Sequence, residues 1–338
     1  SYKVSMLKQY PAGTTGVYSY IESRGGRYDR TVMFGLQAFI KEYLLEPITQ
    51  ADIDIADEIL TAHGEPFPRT MWQHILDKHN GYLPVVIRAV PEGTVVPVSQ
   101  VLATIENTDP ECFALTTWLE TALLRAIWYP TTVATQSWTI RKVILDALEK
   151  TGDPALIDFK LHDFGARGVS SMESAGIGGA AHLINFMGTD TVSSLVFLRK
   201  YYGADIAGFS IPASEHSTIT SWGQDNEIDA YRNMIKQFGK PGALFACVSD
   251  SYNIYEACKM WGGLKDELIA SGATLVVRPD SGDPSTVVVK CLYILEKYFG
   301  SVKNSKGYRV LYKVMVLIML LFSLFCSAWT WRALVQIT

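Results

Sequence analysis

The sequence is poor in cysteine and has none of the cysteine patterns that mark a disulfide framework or a zinc finger. Its five cysteines are spread over 338 residues, their number is odd, and no two of them have C-x-x-C spacing. Several lie in apolar runs, so we expect reduced, buried thiols in a cytoplasmic protein. His162, His182 and His216 also lack the spacing of zinc ligands.

A block of positive charge is also absent, since 30 Lys and Arg residues are outnumbered by 34 Asp and Glu residues. This balance argues against nucleic acid as a partner, although a few local Arg and Lys residues could still bind a small anion. The sequence has no G-x-S-x-G motif, which argues against a serine hydrolase built around His216.

One uncharged run, residues 314–331, is long enough to cross a bilayer, and basic residues precede it. Three interpretations are open: a frame-shifted or mis-assembled coding end, an apolar tail packed onto the fold, and a membrane anchor. A membrane would be a partner only in the third case.

The first 118 residues have the pattern of a mixed α+β domain. Three stretches have the apolar spacing of helices: residues 34–45, 49–64 and 71–78. A Val- and Ile-rich stretch typical of a β-meander follows at residues 83–106. Thr49 is expected to cap the second of these helices. Another helix is predicted over residues 112–128, and Pro130 should end it. A further helix is predicted from Pro130 to residue 150.

Short apolar strands alternate with helical segments beyond residue 156. The strands are predicted at residues 157–162, 183–186, 206–211, 244–248 and 274–277. The helices between them are predicted at residues 191–202, 225–238, 252–261 and 285–299. This α/β alternation implies a parallel sheet, and the polar residues that follow each strand favour a (β/α) barrel with its active site at that end. A doubly wound open sheet is the alternative.

Residues 176–181 match the G-x-G-x-x-A fingerprint of dinucleotide-binding proteins. A strand should run directly into such a motif, but polar residues precede it here. We therefore interpret Ser170 and Glu173 as a capping box, and the glycines as the close contact of a helix with its neighbour.

Charged and aromatic side chains follow the predicted strands. Arg167 and Arg278 on one face would suit phosphate or pyrophosphate. Asp250 and Asp280 could hold ribose hydroxyls or Mg²⁺, but either could equally be a cap or turn residue. Phe164 could stack on a flat ligand or belong to the core.

Five ordered motifs make the sequence closely resemble the nicotinamide phosphoribosyltransferases, type II enzymes of the nicotinate phosphoribosyltransferase-like family: KLHDFGARGVSS, GTDT, PASEHSTIT, VSDSYNIY and VVRPDSGDP. The resemblance runs from Ser1 to about Leu311. It implies an α/β barrel beside a mixed α+β domain, in a cytoplasmic homodimer with shared active sites. It also implies nicotinamide and phosphoribosyl pyrophosphate as substrates in NAD salvage, Mg²⁺ as cofactor, and coupled ATP hydrolysis through a phosphorylated histidine.

The resemblance further implies roles for single residues. Phe164 would stack on one face of the pyridine ring, and the partner subunit's Tyr2 would cover the other. Asp190 would accept a hydrogen bond from the carboxamide. The remaining substrate-binding residues would be Arg167, Ser210, Ala213, Asp250 and Arg278. The catalytic residues would be His216, as the phosphorylated residue, with Glu215 and Asp280. No metal ligand is assigned.

Asp190 bears on the choice of substrate, because a carboxylate attracts an amide NH₂ and repels the carboxylate of nicotinate. Nicotinate phosphoribosyltransferase is the enzymatic alternative, and Asp190 argues against it. A binding module that holds nicotinamide without turnover is the non-enzymatic alternative.

The resemblance ends before the sequence does, so we expect three regions: residues 1–118 as the mixed domain, 119–311 as the barrel domain, and 312–338 as an aberrant hydrophobic tail. The start is expected to be a fragment boundary. The barrel is expected to be incomplete and the chain to be weak or inactive.

Overall fold

The computed structural model describes residues 2–323 and 330–336, with side chains through residue 316. The chain divides into two compact units. The first contains residues 1–138, 180–184 and 197–204, and the second contains residues 139–179, 185–196 and 205–338. No helix in the described ranges is both long enough and apolar enough to span a bilayer.

The part of the chain up to residue 151 holds short helices, two small antiparallel sheets and one long helix. The strands are β1 (Tyr18–Glu22), β2 (Arg30–Val32), β3 (Val85–Ala89), β4 (Val95–Pro97) and β5 (Val101–Asn107), paired in the orders β1-β5-β3 and β2-β4. The helices are α1 (Leu36–Phe39), α2 (Gln50–Ala62), α3 (Arg69–His79) and α4 (Leu115–Thr151), with 3-10 turns at Tyr2–Gln9 and Pro110–Cys112 and a π-helical turn at Ile40–Leu44. The Thr49 cap of α2 is confirmed, and so are strands within residues 83–106. The predicted meander is wrong, because β4 does not lie between β3 and β5: β3 pairs directly with β5, while β4 pairs with β2 in a separate sheet.

The predicted break at Pro130 is wrong, because α4 is continuous through the proline. The proline ring packs against Gly35, where an added Cβ would lie 2.4 Å from Pro130 Cγ. Thr131 and Thr135 then accept hydrogen bonds from the backbone N–H groups of Phe34 (3.1 Å) and Val32 (2.9 Å). These contacts offset the backbone hydrogen bond that proline cannot make, so the helix persists.

The second part of the chain alternates strands and helices, as the sequence predicts. The strands are β6 (His162–Asp163), β7 (Gly188–Thr189), β8 (Leu244–Val248), β9 (Thr274–Arg278), β10 (Ser301–Lys303), β11 (Arg309–Leu311), β12 (Val314–Ser323) and β13 (Thr330–Gln336). The helices are α5 (Met172–His182), α6 (Val192–Tyr202), α7 (His216–Thr220), α8 (Glu227–Phe238), α9 (Ile254–Gly263), α10 (Lys265–Ser271) and α11 (Pro284–Phe299). Three 3-10 turns lie at Pro154–Phe159, Gly165–Gly168 and Gln224–Asn226. The mixed α/β class is therefore confirmed.

Parallel pairing runs through this second unit. β6 pairs with β7, and β8 pairs with β9, which in turn pairs with β12. Between these two sets lies a segment that touches both, since Phe209 forms a parallel bridge with Gly188 and Ala213 forms one with Ala246. The carboxyl ends of these parallel segments therefore point the same way.

Two of the five predicted strands, 244–248 and 274–277, are confirmed, and three are wrong in position or extent. Residues 154–159 form a 3-10 turn, whose N-cap Asp153 accepts a hydrogen bond from the Ala155 N–H. The predicted strand 183–186 precedes the real one at Gly188–Thr189, and the predicted strand 206–211 is reduced to the bridge at Phe209.

The apolar run at residues 314–331 begins as a strand. Val314 and Val316 are buried, and β12 pairs in parallel with β9 and antiparallel with β13. Residues 324–329 lie outside the described residues, and the interpretations of the run stay predictions there. The prediction of reduced, buried thiols is confirmed for the four cysteines in the described ranges, which are Cys112, Cys247, Cys258 and Cys291. Cys326 lies outside the described residues.

Candidate active site

The sequence-predicted residues of the second unit gather after the carboxyl ends of its parallel segments. Phe164 follows β6, Asp190 follows β7, and Ser210 lies next to the bridge at Phe209. Asp250 follows β8, and Asp280 follows β9. Side chains from separate stretches of sequence thereby share one edge, which is where α/β proteins of this kind carry their chemistry.

Asp190 is held by two polar neighbours. The Ser210 hydroxyl donates a short hydrogen bond to Oδ1, and His162 Nε2 lies 3.4 Å from the same oxygen, an electrostatic contact without the geometry of a regular hydrogen bond. Burial raises the pKa of Asp190, but the contacts with His162 and Ser210 and the charge of Arg278 lower it by more, so the pKa lies below its ordinary value. The side chain is 38% exposed, so this ionised carboxylate is also accessible.

Phe164 is linked to Asp190 through His162. Its half-buried ring lies 4.6 Å from the His162 ring, centroid to centroid, with 34° between the planes. The His162 ring in turn rests on Gly188, where an added Cβ would lie 2.7 Å from Nδ1. Two rings and one carboxylate therefore meet at the ends of β6 and β7.

Asp163 stabilises the ends of β6 and β7, and the sequence analysis assigns no role to it. It is 1% exposed, and its Oδ1 accepts a hydrogen bond from the Gly165 N–H at 2.7 Å, while its backbone carbonyl accepts one from the Asp190 N–H at 2.9 Å. A Cβ at Gly179 would lie 3.0 Å from Asp163 Oδ2 and 2.7 Å from Ser194 Cβ. The glycine motif therefore serves close packing, as predicted, although Ser171 rather than Ser170 caps α5.

The signal that could have identified Asp163 and His162 is their place at the end of β6, directly before Phe164. A carboxylate that follows an apolar strand and precedes a glycine is suited to bond the next turn. The sequence analysis tests His162 only as a zinc ligand, and the spacing of histidines along the chain does not reveal its contact with Asp190.

A second group forms around Asp250. Its Oδ1 lies 3.0 Å from His216 Nε2, and its Oδ2 accepts hydrogen bonds from the Asp280 N–H (2.9 Å) and the Ser281 hydroxyl (2.6 Å). The Asp250 side chain is 5% exposed, whereas that of His216 is 45% exposed. A nearly buried carboxylate therefore fixes an accessible imidazole.

Arg278 is anchored at one end only. Its Nη2 donates to the Ser214 carbonyl oxygen at 3.2 Å, and its buried Nε has no hydrogen-bond partner in the part of the chain that the structure describes. Because its charge also lowers the pKa of Asp190, Arg278 connects the two groups electrostatically. A half-buried arginine whose buried Nε has no partner among the described residues is suited to an anionic ligand.

Among the residues that the structure describes, no side-chain hydrogen bond or ion pair links the remaining predicted residues to these groups. Arg167 is exposed in the turn Gly165–Gly168, and Ala213 is exposed at its bridge to Ala246. Glu215 is the N-cap of α7 and accepts a hydrogen bond from the Ser217 hydroxyl at 3.4 Å. Tyr2 belongs to the first unit and is 66% exposed.

The fold of this chain is similar to that of two solved α/β structures. It superimposes on human nicotinic acid phosphoribosyltransferase with a TM-score of 0.60 at 18% identity, covering 88% of this chain and 63% of that one. It superimposes on nicotinate-nucleotide pyrophosphorylase from Pyrococcus furiosus with a TM-score of 0.56 at 16% identity, covering 94% and 62%.

Comparison of the sequence with known proteins identifies the family of this chain. Residues 1–87 match the nicotinamide phosphoribosyltransferase N-terminal domain, and residues 159–323 match the nicotinate phosphoribosyltransferase family. The second match extends beyond Leu311, where the resemblance was expected to end. The nicotinamide phosphoribosyltransferase of Xanthomonas campestris is 56% identical over 321 residues, and that of Acinetobacter baylyi is 31% identical over 352. The alignments cover 94% and 92% of this chain but only 68% and 69% of those relatives. The chain belongs to the nicotinamide phosphoribosyltransferase family.

Proposed function

We propose that this chain transfers the phosphoribosyl group of phosphoribosyl pyrophosphate to nicotinamide in NAD salvage. The ring nitrogen of nicotinamide attacks the anomeric carbon of the ribose, the bond from that carbon to pyrophosphate breaks, and its electron pair leaves with pyrophosphate. The products are nicotinamide mononucleotide and pyrophosphate. The observation that carries the proposal is the accessible, ionised Asp190, which contacts His162, whose ring in turn lies against the ring of Phe164.

Asp190 would orient nicotinamide through the carboxamide. An ionised carboxylate only accepts hydrogen bonds, so it matches the amide NH₂ and opposes the carboxylate of nicotinate. Phe164 would hold the flat ring by stacking, and Ser210 would keep the carboxylate in place. Nicotinate is therefore the disfavoured substrate.

Arg278 would bind a phosphate of the sugar substrate, since its Nε is buried with no partner in the described residues. Arg167, exposed one turn after β6, would add a second positive charge. Fixed positive groups stabilise the negative charge that grows on the departing pyrophosphate, and they need no reorganisation during the reaction.

The proposed Mg²⁺ would enter with phosphoribosyl pyrophosphate, because Mg²⁺ is usually held by substrate phosphates together with one or two carboxylates. Asp250 already accepts three hydrogen bonds, which suits an orienting role better than metal ligation. Asp280, directly after β9, is the carboxylate that fits the ion.

His216 would be the acceptor of the ATP γ-phosphate. Asp250 contacts Nε2, so the tautomer that donates to this carboxylate leaves the Nδ1 lone pair for attack on phosphorus. Glu215, the preceding residue, would assist as the second acid of this group. Hydrolysis of the phosphohistidine would then be coupled to nicotinamide mononucleotide synthesis.

The proposal includes the surrounding architecture. Parallel pairing through β6, β7, β8, β9 and β12 supports a (β/α) barrel at residues 119–311 beside a mixed domain at residues 1–118, although α4 runs across that predicted boundary. The pairing of β12 with β9 supports counting its first residues with the sheet rather than with a separate tail. We further propose a cytoplasmic homodimer in which the partner subunit's Tyr2 completes each site.

Product formation from each pyridine tests the proposal. The purified chain is incubated with phosphoribosyl pyrophosphate, Mg²⁺ and either nicotinamide or nicotinate, with and without ATP, and mononucleotides are separated by chromatography. Nicotinamide mononucleotide should form slowly, because the barrel is expected to be incomplete, and ATP should increase its yield. Robust synthesis would overturn the expectation that the chain is weak or inactive. Calorimetric binding of nicotinamide without any product would favour the binding module, and equal turnover of both pyridines would overturn the assignment of Asp190.

A further inference from the structure

A second cluster of ligand-type side chains lies in the first unit, outside the candidate active site. α3 contributes His74 and, as its last residue, His79. Asp109 caps the 3-10 turn Pro110–Cys112, which ends in Cys112. Asp109 and Cys112 have D-x₂-C spacing, which is as short as the C-x₂-C spacing of paired zinc ligands within one segment.

The polar atoms of this cluster converge. Asp109 Oδ2 lies 2.8 Å from His74 Nε2 and 2.7 Å from His79 Nε2. A ring nitrogen of His74, a carboxylate oxygen of Asp109 and the Cys112 sulfur all lie within 4.8 Å of one another. Around a tetrahedral zinc ion such atoms are about 3.3–3.6 Å apart. His74 Nε2 and Asp109 Oδ2 would therefore separate slightly from their present 2.8 Å, and the Cys112 sulfur would move closer to them.

The carboxylate is already oriented for this purpose. Asp109 Oδ1 accepts a hydrogen bond from the Glu111 N–H at 2.9 Å, and the Asp109 carbonyl oxygen accepts one each from Asn107 Nδ2 (2.9 Å) and the Cys112 N–H (3.0 Å). The helix-capping role therefore uses Oδ1 alone, and Oδ2 is turned toward the histidines. Outer hydrogen bonds of this kind fix the ligands of metal sites.

The ordinary alternative is that Asp109 only caps a turn while Cys112 only fills the core. Cys112 is indeed fully buried beside Met71 and Ile75. A cap, however, needs one carboxylate oxygen, and it does not require two imidazoles and a thiol to meet at the other. The histidine side chains are also partly accessible, at 28% and 30%, which leaves a path for an ion from solvent.

We propose that His74, Asp109 and Cys112 bind one divalent cation of the zinc class, with His79 holding the carboxylate and solvent taking the fourth position. Mixed nitrogen, oxygen and sulfur ligands select such borderline ions over Mg²⁺ or Ca²⁺. On binding, the Cys112 thiol releases its proton to solvent, and His74 coordinates through its unprotonated nitrogen. The ion would tie the end of α3 to the turn before α4.

Cobalt is the probe, because a thiolate bound to Co²⁺ gives a near-ultraviolet charge-transfer band. The spectrum of the metal-free chain is recorded first, so that only a band produced by added Co²⁺ is assigned to the Cys112 thiolate. The full chain, free of any affinity tag and stripped with a chelator, is titrated with Co²⁺. We expect one equivalent to produce the band, and one equivalent of Zn²⁺ to remove it and raise the melting temperature.

Cys112→Ser should abolish the band, and His74→Gln should weaken Co²⁺ binding by more than about tenfold. His74→Gln changes a partly exposed residue, so it keeps the test valid if the buried Cys112→Ser variant fails to fold. The matched control is His63→Gln, which removes an exposed histidine of the same unit and should leave the titration unchanged. Absence of the band in the unmodified chain, or an equal band in His74→Gln, overturns the site.

Discussion

Asp190 shows how one side chain can remain charged in a partly enclosed position. Burial alone would raise its pKa, yet the contacts with His162 and Ser210 and the charge of Arg278 bring the pKa below its ordinary value. The carboxylate is therefore ionised through the neutral range. Any stability it contributes is lost only as the pH falls from its ordinary pKa toward the lower folded one.

Asp190→Ser should relax the preference between the two pyridines. The variant removes the charge that repels nicotinate and the acceptor that pairs with the amide, a change of about 1–3 kcal/mol, or roughly 5- to 150-fold. The measurement is the ratio of kcat/KM for nicotinamide and nicotinate. Ser210→Ala is the control, since it removes one hydrogen bond but keeps the charge, and it should change the ratio less. An unchanged ratio in Asp190→Ser would contradict the proposed role.

Asp250→Asn should uncouple ATP from product formation. The substitution removes the charge that orients His216 and keeps the side-chain volume. By analogy with the orienting aspartate of a Ser-His-Asp triad, the ATP-stimulated rate should fall by between about tenfold and 10⁴-fold, while the rate without ATP falls less. Both rates are measured on the same preparation. Asp225→Asn, an exposed acid before α8, is the control. Equal losses with and without ATP would show that Asp250 supports the whole site rather than His216.

At the scale of elements, α4 and its neighbours depend on a glycine that faces the proline ring. Gly35 has φ +107°, and an added Cβ would also lie 2.6 Å from the Ala126 carbonyl oxygen. A side chain here would suffer both backbone strain and a clash with a packed helix.

Gly35→Ala should therefore lower the free energy of unfolding by about 1–3 kcal/mol beyond the cost of the backbone conformation alone. Gly25→Ala measures that backbone cost by itself, because Gly25 also has a positive φ (+91°) but nothing lies within 4 Å of an added Cβ. Urea unfolding of both variants gives the difference. Equal destabilisation of the two would rule out the steric contact as the cause.

The elements that the sequence predicted well are those with a strong local signal. β8 and β9 are continuous apolar strands, and α8 and α11 have long helical periodicity, so they lie close to where they were expected. β6 and β7 have only two residues each, too few to leave a pattern. Their position depends on tertiary contacts such as the packing of His162 on Gly188, which no local signal records.

The site itself follows the same division. Asp190, His216 and Asp250 were found through motif resemblance and the rule that polar residues follow strands. The structure adds how they are held, by Ser210 for Asp190 and by Asp250 for His216. Such pairings join residues 20 and 34 positions apart, and spacing along the chain does not reveal them.

At the scale of the whole molecule, the proposed shared sites can be tested by mixing two inactive chains. Tyr2→Ala and Asp190→Ala each damage a different part of the same site, so a mixed dimer should contain one intact site. After unfolding and refolding together, equal amounts should regain about a quarter of the activity of the unmodified chain, since half of the dimers are mixed. Nicotinamide mononucleotide formation is the measurement. Each variant refolded alone is the control, and no gain on mixing would oppose sites shared across subunits.

The segment between Phe209 and Ala213 has a consequence for regulation. It bridges Gly188 at one end and Ala246 at the other, and the same short stretch of backbone carries Ser210, which holds Asp190, and leads directly into His216. Six peptide bonds therefore separate Ser210 from His216. If the proposed phosphate on His216 and the proposed nicotinamide at Asp190 are coupled through this segment, thermodynamic reciprocity requires that each change the other's binding free energy by the same amount.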